Sequence, residues 1–171
     1  MSLSTSTMRH SRRDFLYGGA ALMGGRGDQL VHRLPDVAFD LALVKPDVGV
    51  LTAAAYRAFD ADPQPIGEWI GVEKALRQSD VAGLGASLCN NMTPASLSLV
   101  PEVGDTLAWV GAQDGVFGAL VSGSGSSVFG VCRDAQASSR IVQAAEERGL
   151  WAVATASRRE GVHVTGEEEC S

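Results

Sequence analysis

The sequence predicts an α+β fold, a sandwich of helices on an antiparallel sheet, and three observations predict it. An apolar run of strand length, Val37 to Val44, stops at Pro46. Two further runs, Phe117 to Val121 and Ser127 to Cys132, are separated only by the Gly/Ser turn Ser122 to Ser126. A last run, Leu150 to Ala156, follows a helical stretch closed by Gly149. The order strand, helices, strand, strand, helix, strand is the split βαβ layout of a ferredoxin-like sandwich, with extra helices in the first crossover.

The first dozen residues are Ser/Thr-rich and then basic, and read as a disordered leader. Ser11-Arg12-Arg13-Asp14-Phe15-Leu16 matches the twin-arginine export pattern, with the apolar stretch Tyr17 to Met23 behind it. That stretch is dense in glycine and has no small-x-small cleavage site before Leu30. The competing reading makes Phe15 to Met23 a strand or hairpin of the folded protein, with Gly24 to Asp28 as its turn.

Val37 to Val44 is apolar enough to predict a strand buried on both faces. Thr52 is read as the cap of a helix that runs through Ala53 to Phe59 and breaks at Asp62-Pro63. Ile66 to Gln78 and Val81 to Cys89 read as two more helices, with Ser79-Asp80 between them supplying a cap. A fourth begins near Pro101-Glu102, places Val103, Leu107 and Val110 on one face, and ends around Asp114-Gly115. Ala135 to Arg148 complete the helices, which are expected on one face of the sheet. Tyr56 and Trp109 sit at helical spacing from apolar neighbours and read as core residues. Glu167 to Glu169 read as a solvated tail.

Composition narrows the function classes. The chain has 171 residues, 45% of them hydrophobic, enough for one good core. The net charge is −6 and the Lys and Arg residues are scattered, which excludes the basic footprint of a nucleic-acid binder. Cys89, Cys132 and Cys170 are far apart and odd in number, so neither a disulfide framework nor a zinc site is expected. A reducing cytoplasm fits best. His10, His32 and His163 are isolated, and no metal site is assigned to them. No apolar run is long enough to span a bilayer, so no membrane partner is expected.

The turn Ser122-Gly123-Ser124-Gly125-Ser126, followed by Ser127, admits two readings. Its glycines tolerate positive φ and add no Cβ bulk, so its amide N–H groups can converge on an anion such as phosphate. The plainer reading is a tight hairpin whose glycines serve only the turn.

Four blocks resemble the C-terminal part of the GHMP kinases, the family of galactokinase, homoserine kinase, mevalonate kinase and phosphomevalonate kinase. They are Phe15-Leu16-Tyr17-Gly18-Gly19-Ala20-Ala21-Leu22 with Gly25-Arg26-Gly27; Val44-Lys45-Pro46 with Thr52 and Tyr56; Asn90-Asn91-Met92-Thr93-Pro94-Ala95 followed by Pro101-Glu102; and Leu120-Val121-Ser122-Gly123-Ser124-Gly125. The similarity spans roughly residues 15 to 160 and is greatest to the branch acting on 4-diphosphocytidyl-2-C-methylerythritol in isoprenoid biosynthesis. The resemblance implies ATP and Mg²⁺ as cofactors, an alcohol as phosphoryl acceptor, and a role for Ser122, Gly123, Ser124, Gly125, Ser126 and Ser127 on the phosphate and substrate side. Lys45 and Thr52 become candidate substrate contacts. The domain division it implies is a leader over 1–13, strands remaining from the kinase N-terminal domain over 14–35, the C-terminal domain over 36–164, and a tail over 165–171.

The resemblance also implies parts that these 171 residues lack. No Pro-x-x-x-Gly-Leu-Gly-Ser-Ser phosphate loop occurs, no lysine is matched to the substrate hydroxyl, and the position expected for the catalytic aspartate is held by Ser11. The expectation is a truncated or degenerate kinase, soluble and cytoplasmic, that dimerises through exposed apolar surface or pairs with a separate N-terminal half. The alternatives are a non-catalytic domain that binds a nucleotide or phosphate, and an exported structural protein read from the arginine pair.

Overall fold

The computed structural model describes residues 20–25, 27–65 and 67–158. Ser11, the arginine pair, residues 14–19, Cys170 and the acidic tail lie outside them. Val37–Ser157 forms one compact unit. By itself, the described part before it is a hairpin of β1 (Ala21–Gly24) and β2 (Gln29–Arg33), paired antiparallel from Ala21↔Arg33 to Gly24↔Gln29. Its turn falls between Gly24, which ends β1 rather than opening the turn as predicted, and Gln29, and the strand before it starts at Ala21 within the described residues.

The compact unit contains β3 (Asp40–Lys45), α1 (Thr52–Ala61), α2 (Trp69–Gln78), α3 (Val81–Ala86), α4 (Thr93–Leu99), α5 (Pro101–Gly111), β4 (Val116–Val121), β5 (Val128–Cys132), α6 (Ala135–Glu147) and β6 (Trp151–Ala156). The sheet order is β4-β5-β3-β6, every neighbour antiparallel. β3 and β4 are therefore parallel with β5 inserted between them, which is the split βαβ signature of the ferredoxin-like fold.

Alternation along the strands builds the core. Ala42 and Val44 of β3, opposite Gly130 and Val128 of β5, face α5 and α6. On α5, Val103 and Val110 are fully buried, with Leu107 packed against the same cluster, so the predicted face is the one that docks. Trp109 packs against both buried clusters, as a core residue should. Asp134 caps α6 by accepting a 2.7 Å hydrogen bond from the Ala137 amide. The Ser138 hydroxyl then donates to the Leu41 carbonyl at 2.7 Å, tying α6 to β3.

Several expectations are corrected. β3 is not buried on both faces: Ala42 and Val44 are buried, whereas Leu41 and Leu43 are half-buried. The helices do not share one face. Gly118 alternates with Ala119, whose Cβ lies on the α5 side, and a Cβ built on Gly118 would overlap the Gly85 carbonyl of α3. So α3 packs on the opposite face at the β4 edge, and Gly85 and Gly118 permit that backbone contact. Tyr56 is exposed rather than core. α3 stops at Ala86 and α5 at Gly111, both short of the predicted ends. α2 starts at Trp69, and α4 has no counterpart among the predicted helices.

Candidate functional site

The Gly/Ser segment closes the β4–β5 hairpin at the strand ends where Val121 faces Val128. The Ser122 N–H donates to the Ser127 carbonyl at 2.8 Å, and the Gly125 N–H donates to the Ser122 carbonyl at 2.9 Å, so the four residues from Ser122 to Gly125 make a tight turn. Gly123 and Gly125 have φ of +56° and +83°, the left-handed region that glycine enters without strain. The two glycines differ in surroundings. A Cβ on Gly125 would press on Val50 at 3.3 Å and Val121 at 3.4 Å, whereas one on Gly123 would meet nothing within 4 Å. Gly125 is turned into the protein and Gly123 into open space.

Side chains from the first crossover hold the loop. The Asn90 amide nitrogen donates to the Val121 carbonyl at 2.9 Å and to the Gly123 carbonyl at 2.7 Å, while its oxygen accepts from the Met92 N–H at 2.9 Å. Ser96 on α4 is fully buried and shares its one hydroxyl proton between the Ser124 carbonyl at 2.9 Å and the Met92 carbonyl at 3.0 Å. All four carbonyls from Val121 to Ser124 thus accept from groups of this chain. The N–H groups of Gly123 and Ser124 have no partner among the described residues.

Thr52 supplies the other wall. The residue preceding α1 is Leu51, with no side-chain cap, so Thr52 is not the predicted cap but the first residue of the helix. Its hydroxyl instead lies 3.1 Å from the Ser124 hydroxyl. The α1 N-terminus, with its partial positive charge, therefore stands beside the loop. Lys45 lies elsewhere: with Pro46, Asp47, Ser127 and Trp151 it lines an open recess of about 450 Å³. Ser126 is buried, at 5% exposure. The structure thus brings Thr52, Ser124 and Gly123 together, places Lys45 with Ser127, uses the Ser122 and Gly125 amides within the turn, and keeps Ser126 inside.

Chemically, free amides, two hydroxyls and a helix N-terminus suit an anion. No group of three His, Cys, Asp or Glu side chains among the described residues is arranged to hold a metal ion. No helix of the described residues is long and apolar enough to cross a membrane. The sequence by itself assigns Asn90 and Ser96 no role in the site. The signal for them is faint: α4 has only seven residues, too few for a helical period, and marks itself only by Pro94 in its first turn.

Residues 72–149 match the family model described as GHMP kinases C terminal. Over 150 residues the chain is 37% identical to the 4-diphosphocytidyl-2-C-methyl-D-erythritol kinase of Desulfitobacterium hafniense (strain Y51), covering 84% of this chain and 50% of that protein. It is 41% identical over 134 residues to the kinase of the same name from Moorella thermoacetica, covering 76% and 47%. The chain spans about half the length of the curated relatives it matches. Among solved structures, a 4-(cytidine 5'-diphospho)-2C-methyl-D-erythritol kinase superposes with a TM-score of 0.62 at 26% identity, covering 81% of this chain and 48% of that one. Homoserine kinase from Cytophaga hutchinsonii shares the fold, with a TM-score of 0.64 at 24% identity over 85% and 50% of the two chains.

Proposed function

We propose, from the premise that this chain carries the C-terminal domain of the GHMP kinases over residues 72–149, that it serves as one half of a small-molecule kinase. The reaction is transfer of a phosphoryl group from ATP to a hydroxyl of 4-diphosphocytidyl-2-C-methyl-D-erythritol, a step of isoprenoid biosynthesis. The names of the relatives support the substrate. The observation that carries the site is the division of the loop, its carbonyls bonded inward and its Gly123 and Ser124 amides free beside the Thr52 and Ser124 hydroxyls.

Phosphoryl transfer depends mainly on positioning and on neutralising charge around the transferred group. The two free amides, with the one hydroxyl proton that the Thr52–Ser124 pair does not use in its own bond, hold phosphate oxygens of the substrate or nucleotide; ATP supplies the phosphoryl group when bound. The Lys45 ammonium, in its recess with Ser127, adds attraction for the same anion at longer range. These groups bind and orient. A group that receives or orients the acceptor hydroxyl is supplied by an N-terminal half carrying the phosphate loop and the aspartate.

The test is ADP release with ATP and 4-diphosphocytidyl-2-C-methyl-D-erythritol, for the chain alone and mixed with the N-terminal half of the Desulfitobacterium hafniense relative. Turnover in the mixture and not in the chain alone is expected. A second reading, a phosphate-binding domain without catalysis, is favoured by the free Gly123 and Ser124 amides, which suit an anion without any further catalytic group. Binding of ATP, CTP or diphosphate with no turnover in either sample selects it. Flat calorimetric responses to all three at millimolar concentration overturn both.

A further inference from the structure

We infer that Asn90 and Ser96 are positioning residues that orient the Gly/Ser loop, turning its carbonyls inward so that its free amides face an incoming phosphate. This rests on the reading of the loop as an anion cradle and adds what makes it one. An unconstrained glycine turn can flip either peptide edge outward, and an outward carbonyl repels an anion where an outward N–H attracts it.

Peptide geometry carries the argument. In a planar trans peptide the C=O and N–H point in opposite directions. The Gly123 carbonyl is fixed on the Asn90 amide at 2.7 Å, so the Ser124 N–H is directed away from Asn90. The Ser122 carbonyl is held by the Gly125 N–H at 2.9 Å, which directs the Gly123 N–H outward in the same way. Ser96, donating to the Ser124 carbonyl at 2.9 Å, fixes the next peptide. Asn90 is suited to the task because one side chain donates to two carbonyls while its oxygen is anchored by the Met92 N–H at 2.9 Å. Aspartate has nearly the same shape and no donor. Ser96 is in turn fixed by its own helix, since its hydroxyl also reaches the Met92 carbonyl at 3.0 Å. Both supports therefore converge on the turn at Met92, which makes the segment from Asn90 to Ser96 one rigid clamp on the loop.

The experiment is a titration of the full ¹⁵N-labelled chain with inorganic diphosphate, following the Gly123 and Ser124 amide resonances, for the parent, Asn90→Asp and Ser96→Ala. Relaxation of the same amides is measured without ligand. In the parent both amides are ordered and shift on titration. In Asn90→Asp they become mobile and apparent affinity falls at least tenfold, while the amides of Val128 to Cys132 keep their exchange protection. Ser96→Ala, losing one donor, gives a smaller loss of several-fold and covers the case in which Asn90→Asp folds poorly. Parent-like order and affinity in both variants overturns the inference and leaves the anion cradle standing. No shift in the parent overturns the cradle; ordered Gly123 and Ser124 amides in both variants without ligand overturn the positioning role on their own.

Discussion

The Thr52 hydroxyl lies 3.1 Å from the Ser124 hydroxyl, across 72 residues of sequence. One stands on the first turn of α1 and the other at the tip of the β4–β5 hairpin, so the pair joins the first crossover to the loop. Thr52→Val keeps the shape and removes the hydroxyl. Because Thr52 is exposed, thermal stability should change by less than about 0.5 kcal/mol. Diphosphate affinity by calorimetry should fall about tenfold, the loss of one hydrogen bond to a charged ligand. Unchanged affinity would remove Thr52 from the site.

Gly118 meets Gly85 backbone to backbone, with no flexible side chain to yield. Gly118→Ala should destabilise the chain by about 2–3 kcal/mol, the upper range for overpacking, measured by urea unfolding. Ala119→Gly, its neighbour on the other face, serves as a control for strand propensity. A Gly118→Ala variant as stable as the parent would show that α3 can slide along β4.

Asp134 caps α6, and the Ala137 N–H that it accepts, aided by Arg133, holds its carboxyl below the ordinary value of 3.8. A carboxylate depressed in the folded state stabilises above its unfolded pKa, and that stabilisation is lost as pH falls through the folded pKa. Thermal melts of the parent and Asp134→Ala should therefore differ at about pH 6, and the difference should shrink only as pH falls below the ordinary carboxylate value and through the lower folded one. Asp134→Asn, which still caps, should lie between them with little pH dependence of its own. A parent–alanine difference that persists undiminished into strong acid would contradict the cap.

Cys89 is exposed and Cys132 is buried in β5. Burial pushes the Cys132 thiol above its ordinary value of 9.0, so its reactive thiolate is scarce as well as inaccessible. In a chain carrying Cys170→Ser, an aromatic disulfide reagent should label one thiol quickly and the second only at the rate of unfolding. The sign for stability follows: a raised thiol pKa favours the folded state below the unfolded value, and the benefit fades as pH rises past it. Equal labelling rates for the two thiols would contradict the burial.

The strands, the two long amphipathic helices and the hairpin turn were legible because each carries a local signal. Val37 to Val44 is apolar and stopped by proline, α5 repeats its apolar residues at helical spacing, and Ser122 to Ser126 can hardly be anything but a turn. Thr52 shows the limit of such signals. A threonine before an alanine run is a good cap by propensity, yet here Leu51 precedes the helix and the hydroxyl goes to Ser124. The roles of Asn90 and Ser96 are illegible for a related reason: Asn90 stands in a loop block whose resemblance assigns it no task, Ser96 is on a helix too short to show a period, and their partners lie 28 to 33 residues away.

By itself, the sequence determined the ferredoxin-like strand order, the α5 core face and the Gly/Ser loop, because local hydrophobic period and turn chemistry act over a few residues; the likeness to the GHMP kinases rests instead on the residue identities of its matching blocks. Only the tertiary structure decided which loop amides remain free, that Thr52 meets Ser124, that Lys45 stands with Ser127 rather than with them, and that α3 crosses to the other face. Those outcomes depend on hydrogen bonds and backbone contacts between segments far apart in the chain, where a donor finds its acceptor only after the sheet has formed.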